Sequence, residues 1–225
     1  MATSPVLGEL SENERERLLG RAVARSLVRD EILHITGDPH DRVHLVTRGV
    51  LKLSISNTAG DETILGLAVP GSFVGDIAAI DGGTQPLDAV AVSPAEVVGM
   101  DAELFVTIVY RNPRAARALA CAAAARSRWM IETVLERTSG EVGERLAGRL
   151  LDLAHMLGRD NGRWIELELP VGQRDLGKLA GVCRESTCKT LRRMKAEGVL
   201  DYEGRKLRIL RPDTLRMMRC GGSGY

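Results

Sequence analysis

The chain has 225 residues, 31 Lys and Arg against 30 Asp and Glu, and 44% hydrophobic residues, which suits one large or two small globular domains. The charged opening MATSPVLGELSENERERLLG argues against a secretory signal, and nowhere do about 18 apolar residues stand together as a membrane span requires. Four scattered cysteines, Cys121, Cys183, Cys188 and Cys220, are unlike a secreted disulfide framework, so a cytoplasmic, reducing compartment is expected.

From Asp30 to about Met100 the sequence reads as short strands. VHLVTRG (43–49), VLKLSIS (50–56) and TILGLAV (63–69) are rich in β-branched and apolar residues and are separated by glycines and prolines. Strands so closely spaced predict an antiparallel barrel or roll over residues 1–111. No GxGxxG or GxxxxGK[ST] follows a strand, which excludes a Rossmann or P-loop nucleotide fold. PRAARALACAAAARSRWMIETVLERT then predicts a long helix over 112–138, opened by Pro113. Leu119, Ala123, Met130 and Val134 recur at helical spacing as an imperfect seam, interrupted by Arg126. Such a seam fits either self-association or packing within its own domain.

Residues 139–225 form a third segment. Glu141–Leu157 is amphipathic, RWIELELP alternates like a strand, and QRDLGKLAGV with CRESTCKTLRRMKAEG predicts helix, turn, helix. LDYEG and KLRILRP predict a hairpin around Gly204. A helix-turn-helix followed by a β wing is a DNA-binding arrangement. Charge agrees: residues 170–220 carry 13 Lys and Arg against 6 Asp and Glu, net +7, leaving 18 against 24, net −6, elsewhere. A basic end on an acidic chain points to a polyanion partner, the alternative being a solvated charged face.

Stepping about 100° per residue along the second helix puts Thr187, Thr190, Leu191 and Met194 on one face. Arg184, Glu185, Cys188, Lys189 and Arg192 fall on the other. Arg or Lys matches guanine O6 and N7, and Glu accepts from cytosine N4 in the major groove. LGKLAGVCRESTCKTLRRMKAEGVL with its wing resembles the recognition unit of the cyclic-AMP receptor protein / fumarate-nitrate regulator (CRP/FNR) family. GDPHDRVHLVTRGVLKLS and PGSFVGDIAAIDGG resemble its effector-binding β-roll, and VGERLAGRLLDLA the first helix of its DNA-binding domain. The resemblance spans nearly the whole chain in order. It implies an α+β fold, with an N-terminal β-roll like that of cyclic-nucleotide-binding domains, a long dimerisation helix and a C-terminal winged helix-turn-helix. It also implies a homodimeric, non-enzymatic transcription regulator whose partners are double-stranded DNA and RNA polymerase. Arg184 and Glu185 match the family's base-reading pair, and Lys189 stands where an arginine is expected, keeping charge but losing the bidentate fork. Gln173, Arg174 and Ser186 match phosphate-holding positions, and a palindromic TGTGA-like site follows.

The family's cyclic-nucleotide members hold phosphate with a Gly-Glu and an Arg-Ser/Thr-Ala. Here Gly75-Asp76 and Leu87-Asp88 take those places, and Met130 and Ile131 fall where a Thr-Ser pair meets the purine. Leu87, Asp88, Met130 and Ile131, four departures in one pocket, argue against cyclic AMP. The apolar environment of Trp129, Met130 and Ile131 leaves haem or another apolar effector open, with His40, His44 and Cys121 as ligands on paper. No cysteine precedes Cys121, which argues against the iron–sulfur cluster of other members. No resident metal site is expected, and no Ser/His/Asp, HExxH or CxxC arrangement supports catalysis. A non-DNA sensor with a decayed helix-turn-helix is the alternative function. Cys183 and Cys188 are candidates for redox control, because thiols at a positive helix start beside Arg184 and Lys189 favour thiolate; the plainer reading is that both are small fillers.

Overall fold

In the computed structural model residues 4–219 are described, which leaves Cys220 outside. They divide within one long helix into two compact units, meeting between Arg128 and Trp129.

The first unit opens with α1 (Pro5–Gly8) and α2 (Glu12–Leu19). A capping box starts α2: the Ser11 hydroxyl accepts from the Glu14 amide and the Glu14 carboxylate accepts from the Ser11 amide. Six strands follow, β1 (Val23–Leu27), β2 (Ile32–His34), β3 (Arg42–Arg48), β4 (Leu51–Ser56), β5 (Glu62–Ala68) and β6 (Phe73–Val74). The short helix α3 (Asp76–Asp81) separates these from β7 (Asp88–Ala91) and β8 (Ala95–Asp101). They form two antiparallel four-stranded sheets, ordered β1-β8-β3-β6 and β2-β7-β4-β5. The sequence runs 43–49 and 50–56 are thus strands, as expected, yet they lie in different sheets. The chain passes between them at Gly49, whose φ is +75° and where a Cβ would stand 2.2 Å from the Pro94 carbonyl oxygen; only glycine fits. Leu27, Val46, Leu51, Ala89, Ala91 and Val97 join the two sheets in one apolar cluster.

Asp101 caps α4 (Ala102–Arg111) by accepting from the Leu104 amide at 2.8 Å. Phe105 then meets Phe73 edge-on, ring centroids 5.1 Å apart, in a second cluster with Leu18, Met100, Ala115 and Leu119. Burial of each such side chain contributes about 1.5–3 kcal/mol. The long helix α5 (Pro113–Ser139) follows, with proline at its start.

The last turns of α5 open the second unit, followed by α6 (Val142–Leu157), β9 (Arg159–Asp160), β10 (Ile165–Glu168), α7 (Gln173–Ala180), α8 (Arg184–Ala196), β11 (Leu200–Glu203), β12 (Lys206–Ile209) and α9 (Pro212–Arg219). The expected hairpin forms around Gly204, but it is one half of a larger sheet. β10 pairs with the outer edge of β12 and β9 with β10, giving the order β11-β12-β10-β9. Among the described residues no helix is long and apolar enough to cross a membrane.

Candidate nucleic-acid interface

α7 and α8 are joined by a turn that glycine makes possible. Gly181 takes the left-handed conformation at φ +63°. A Cβ on Gly177 would stand 2.6 Å from the Val182 carbonyl oxygen and 2.7 Å from the Thr187 hydroxyl, so the two helices pack backbone against side chain. The buried face of α8 is Thr187, Thr190, Leu191 and Met194, the set that helical stepping predicts. Arg184, Glu185, Lys189 and Arg192 are exposed, as is Arg174 on α7; Gln173, Ser186 and Cys188 are half-buried.

Charge on this surface is unevenly compensated. Arg193 and Lys195 meet Glu197 at 3.9 Å and Asp201 at 2.6 Å, and Arg208 in the wing meets Glu166 at 2.9 Å. Among the described residues no carboxylate lies within ion-pair distance of Arg174, Arg184, Lys189 or Arg192. Four cations on neighbouring turns of two helices are therefore left to the solvent side. The cysteines hold the polar residues between them. The Cys188 Sγ donates to Gln173 Oε1 at 3.0 Å, and the Cys183 Sγ lies 3.3 Å from Ser186 Oγ. The Ser186 hydroxyl, then its amide, hold the Cys183 thiol below the usual thiol range. Cys183 is the N-cap residue of α8 and is exposed.

Comparison with known proteins assigns both units. Residues 24–112 match the cyclic nucleotide-binding domain family and residues 144–218 the Crp-like helix-turn-helix domain family. The chain belongs to the CRP/FNR family. A cyclic AMP receptor protein of Thermus thermophilus is 28% identical over 203 residues, 89% of each chain. A CRP-like cAMP-activated global transcriptional regulator of Mycobacterium tuberculosis is 25% identical over 183 residues, 81% of each. Among solved structures, FixK2 of Bradyrhizobium japonicum superposes with a TM-score of 0.79 at 22% identity, covering 88% of this chain and 96% of that one. The CRP/FNR regulator is thus a DNA-binding transcription regulator with a β-roll, a long helix and a C-terminal helix-turn-helix.

In this CRP/FNR regulator the acidic candidates Asp76 and Asp88 are engaged by the chain itself. Gly75, at φ +86°, turns the chain into α3 and buries Asp76, which is 2% exposed. Arg126 of α5 grips that carboxylate with both guanidinium nitrogens, at 3.0 and 2.5 Å. Arg126, read from sequence as an interruption of the seam, is therefore an internal partner of the roll. Asp88 accepts from the Thr36 amide at 2.7 Å and hydroxyl at 2.9 Å, beside half-buried Leu87. His44 lies within the sheet against Gly99, and burial pushes its imidazole down to about 4, which leaves it neutral; Cys121 is exposed on α5.

Trp129 belongs to the second unit. Its indole donates to Asp152 at 2.9 Å, and the Arg149 guanidinium stands 4.9 Å from its ring centroid. Met130 and Ile131 are exposed. Leu119 is 4% exposed and packs into the first unit's own cluster with Ala115, the within-domain packing that the seam pattern also allows. Ala123 is half-buried, and Met130 and Val134 are exposed.

Sequence reasoning missed a charge lattice in the second unit. Arg149, 2% exposed, pairs with Glu136 and, at 3.0 Å, with Asp152, and donates to the Thr133 hydroxyl at 2.9 Å. Arg219 of α9 reaches Glu136 at 3.0 Å, Asp152 at 3.2 Å and Glu132 at 3.3 Å. An arginine inside the apolar stripe Leu146, Leu150, Leu153 was the available signal.

Proposed function

We propose that the chain is a homodimeric transcription regulator that reads a palindromic TGTGA-like site with α8, without cyclic AMP. The observation that carries this reading is the set of four cations, Arg174, Arg184, Lys189 and Arg192, left without carboxylates among the described residues around the helix-turn-helix. In this reading Arg184 forks onto guanine, Glu185 accepts from cytosine, and Lys189 supplies a point charge. Gln173, Arg174 and Ser186 hold phosphates and set register. RNA polymerase is the further protein partner, and the cytoplasm the place of action. The three functional parts are the roll over 1–111, the dimer helix over 112–138 and the DNA-binding part over 139–225. Independence from cyclic AMP is supported by the Arg126–Asp76 pair and by Leu87 and Asp88 in place of a phosphate clamp. Anisotropy titration should show preference for a TGTGA palindrome over a scrambled duplex, unchanged by cyclic AMP. Equal affinity for both duplexes would refute the DNA reading, and a cyclic-AMP-dependent gain would refute the independence.

Self-association is supported by α5, where Met130, Ile131, Val134 and Leu135 are 47%, 62%, 59% and 59% exposed on one face. A contiguous apolar stripe in water marks an interface. Met130→Glu is expected to sediment as a monomer and to lose affinity for the full palindrome far more than for a half-site, because a two-fold site rewards a two-fold protein. A variant that stays dimeric would move the interface elsewhere.

A second reading, of control by oxidation, rests on Cys183, which is exposed with its thiol lowered by Ser186. Peroxide would transfer one oxygen to the thiolate, giving a sulfenic acid and releasing hydroxide, and add bulk against DNA. Mild peroxide should weaken DNA binding and a thiol reductant should restore it, while Cys183→Ser/Cys188→Ser binds normally and ignores peroxide. Unchanged binding by wild-type protein with oxidation verified by mass spectrometry would leave both cysteines as fillers.

A further inference from the structure

Two arginines outside the DNA-facing set touch the helix-turn-helix turn from behind. Arg137, in the last turn of α5, donates from one guanidinium nitrogen to the Lys178 carbonyl at 3.2 Å and the Leu179 carbonyl at 3.3 Å. Arg145 of α6 donates to the Gly181 carbonyl at 3.2 Å. These carbonyls are the last of α7 and the turn itself, where a helix leaves acceptors unsatisfied and its dipole favours cations. The fit is close: a Cβ on Gly181 would stand 3.1 Å from Arg137 Nε and 3.2 Å from its Cγ. The neighbouring residue Glu136 is fixed by Arg149 and Arg219, so the helical turn that carries Arg137 is itself anchored. Burial, and then the charges of Arg149 and Arg145, lower the Arg137 guanidinium, a cost that its hydrogen bonds to the two carbonyls offset.

We propose that Arg137 and Arg145 are positioning residues for DNA reading, capping the C-terminal end of α7 and thereby fixing the angle at which α8 is presented. The inference rests on the DNA-reading function proposed above. Base reading tolerates only about 0.5 Å and 10–20° of misplacement, whereas a phosphate contact made by a flexible side chain tolerates more. Loss of the cap therefore falls on specificity.

The test uses the full chain, a duplex selected by the wild-type protein from a randomised pool, and a scrambled duplex, titrated over a range of salt. Arg137→Met and Arg145→Met are each expected to lose about tenfold on the selected duplex, as the loss of a charged hydrogen bond implies. Binding to the scrambled duplex and the salt slope should stay unchanged, and Arg137→Lys should recover part of the loss. Parallel losses on both duplexes with a salt slope lower by about one would make the arginine a phosphate contact and overturn the inference. So would an unchanged ratio of affinities in variants that melt like the wild type. If Arg137→Met does not fold, Arg137→Lys and Arg145→Met decide by the same ratio. A wild-type protein that prefers no duplex overturns the DNA reading and this inference together; a wild-type preference kept intact by the variants overturns the inference alone.

Discussion

Arg149→Met is expected to destabilise the second unit by about 3 kcal/mol or more, because it strips one cation from carboxylates already removed from water. Glu136 and Asp152 are 18% and 15% exposed, so solvent screens them only in part. Arg219 still reaches both, which holds the loss near the low end of the 3–5 kcal/mol typical of a broken buried pair, about 3 kcal/mol. The hydrogen bond to Thr133 and the contact with the Trp129 ring are lost as well. Both tryptophans of the chain, Trp129 and Trp164, lie in the second unit, so fluorescence-monitored denaturant unfolding reports that unit selectively. Replacing Arg149, Glu136 and Asp152 together by apolar residues of similar volume should cost less than Arg149→Met alone, since the buried charges are removed together and Arg219 keeps Glu132 as a partner. A single-variant loss below about 1 kcal/mol would show that the lattice behaves as a solvated surface network.

Arg184→Ala should cost about 1–3 kcal/mol on the specific duplex and relax the preference at one guanine, because a bidentate contact to O6 and N7 is removed. Arg174→Ala should weaken binding to all duplexes alike and lower the salt slope by about one unit, as the loss of one phosphate contact requires. Both guanidinium groups are exposed and, among the described residues, without carboxylate partners, so neither change breaks an internal ion pair there and the effects on stability should be small. If the two variants lost affinity equally on specific and random duplexes, the division into reader and phosphate anchor would be wrong.

Much of this architecture is legible in the sequence where the determinant is local. The two faces of α8 follow from 100° steps along CRESTCKTLRRMKAEG, and the strands at 43–49, 50–56 and 63–69 from their β-branched content. Features set by long-range contacts are not. That β3 and β4 belong to different sheets depends on strands far along the chain, as does the pairing of β10 with β12. A seam pattern cannot tell a helix's own core from a partner, which is why Leu119 reads like Met130 although it is buried. The Arg126–Asp76 pair spans 50 positions, with nothing local in either residue to announce it. Other features carried signals that local reading passes over. Ser11-Glu12-Asn13-Glu14 spells the capping box that starts α2, and Arg149 sits in an otherwise apolar stripe.

In the function proposed above, a two-fold protein reads a two-fold sequence through α8. Selection of bound duplexes from a randomised pool, followed by sequencing, tests it most directly. The expected result is enrichment of an inverted repeat with half-sites one helical turn apart, about 10–11 base pairs centre to centre, whose guanine preference is lost with Arg184→Ala. Enrichment of no sequence, or of a single unrepeated half-site that Arg184→Ala selects equally well, would contradict it.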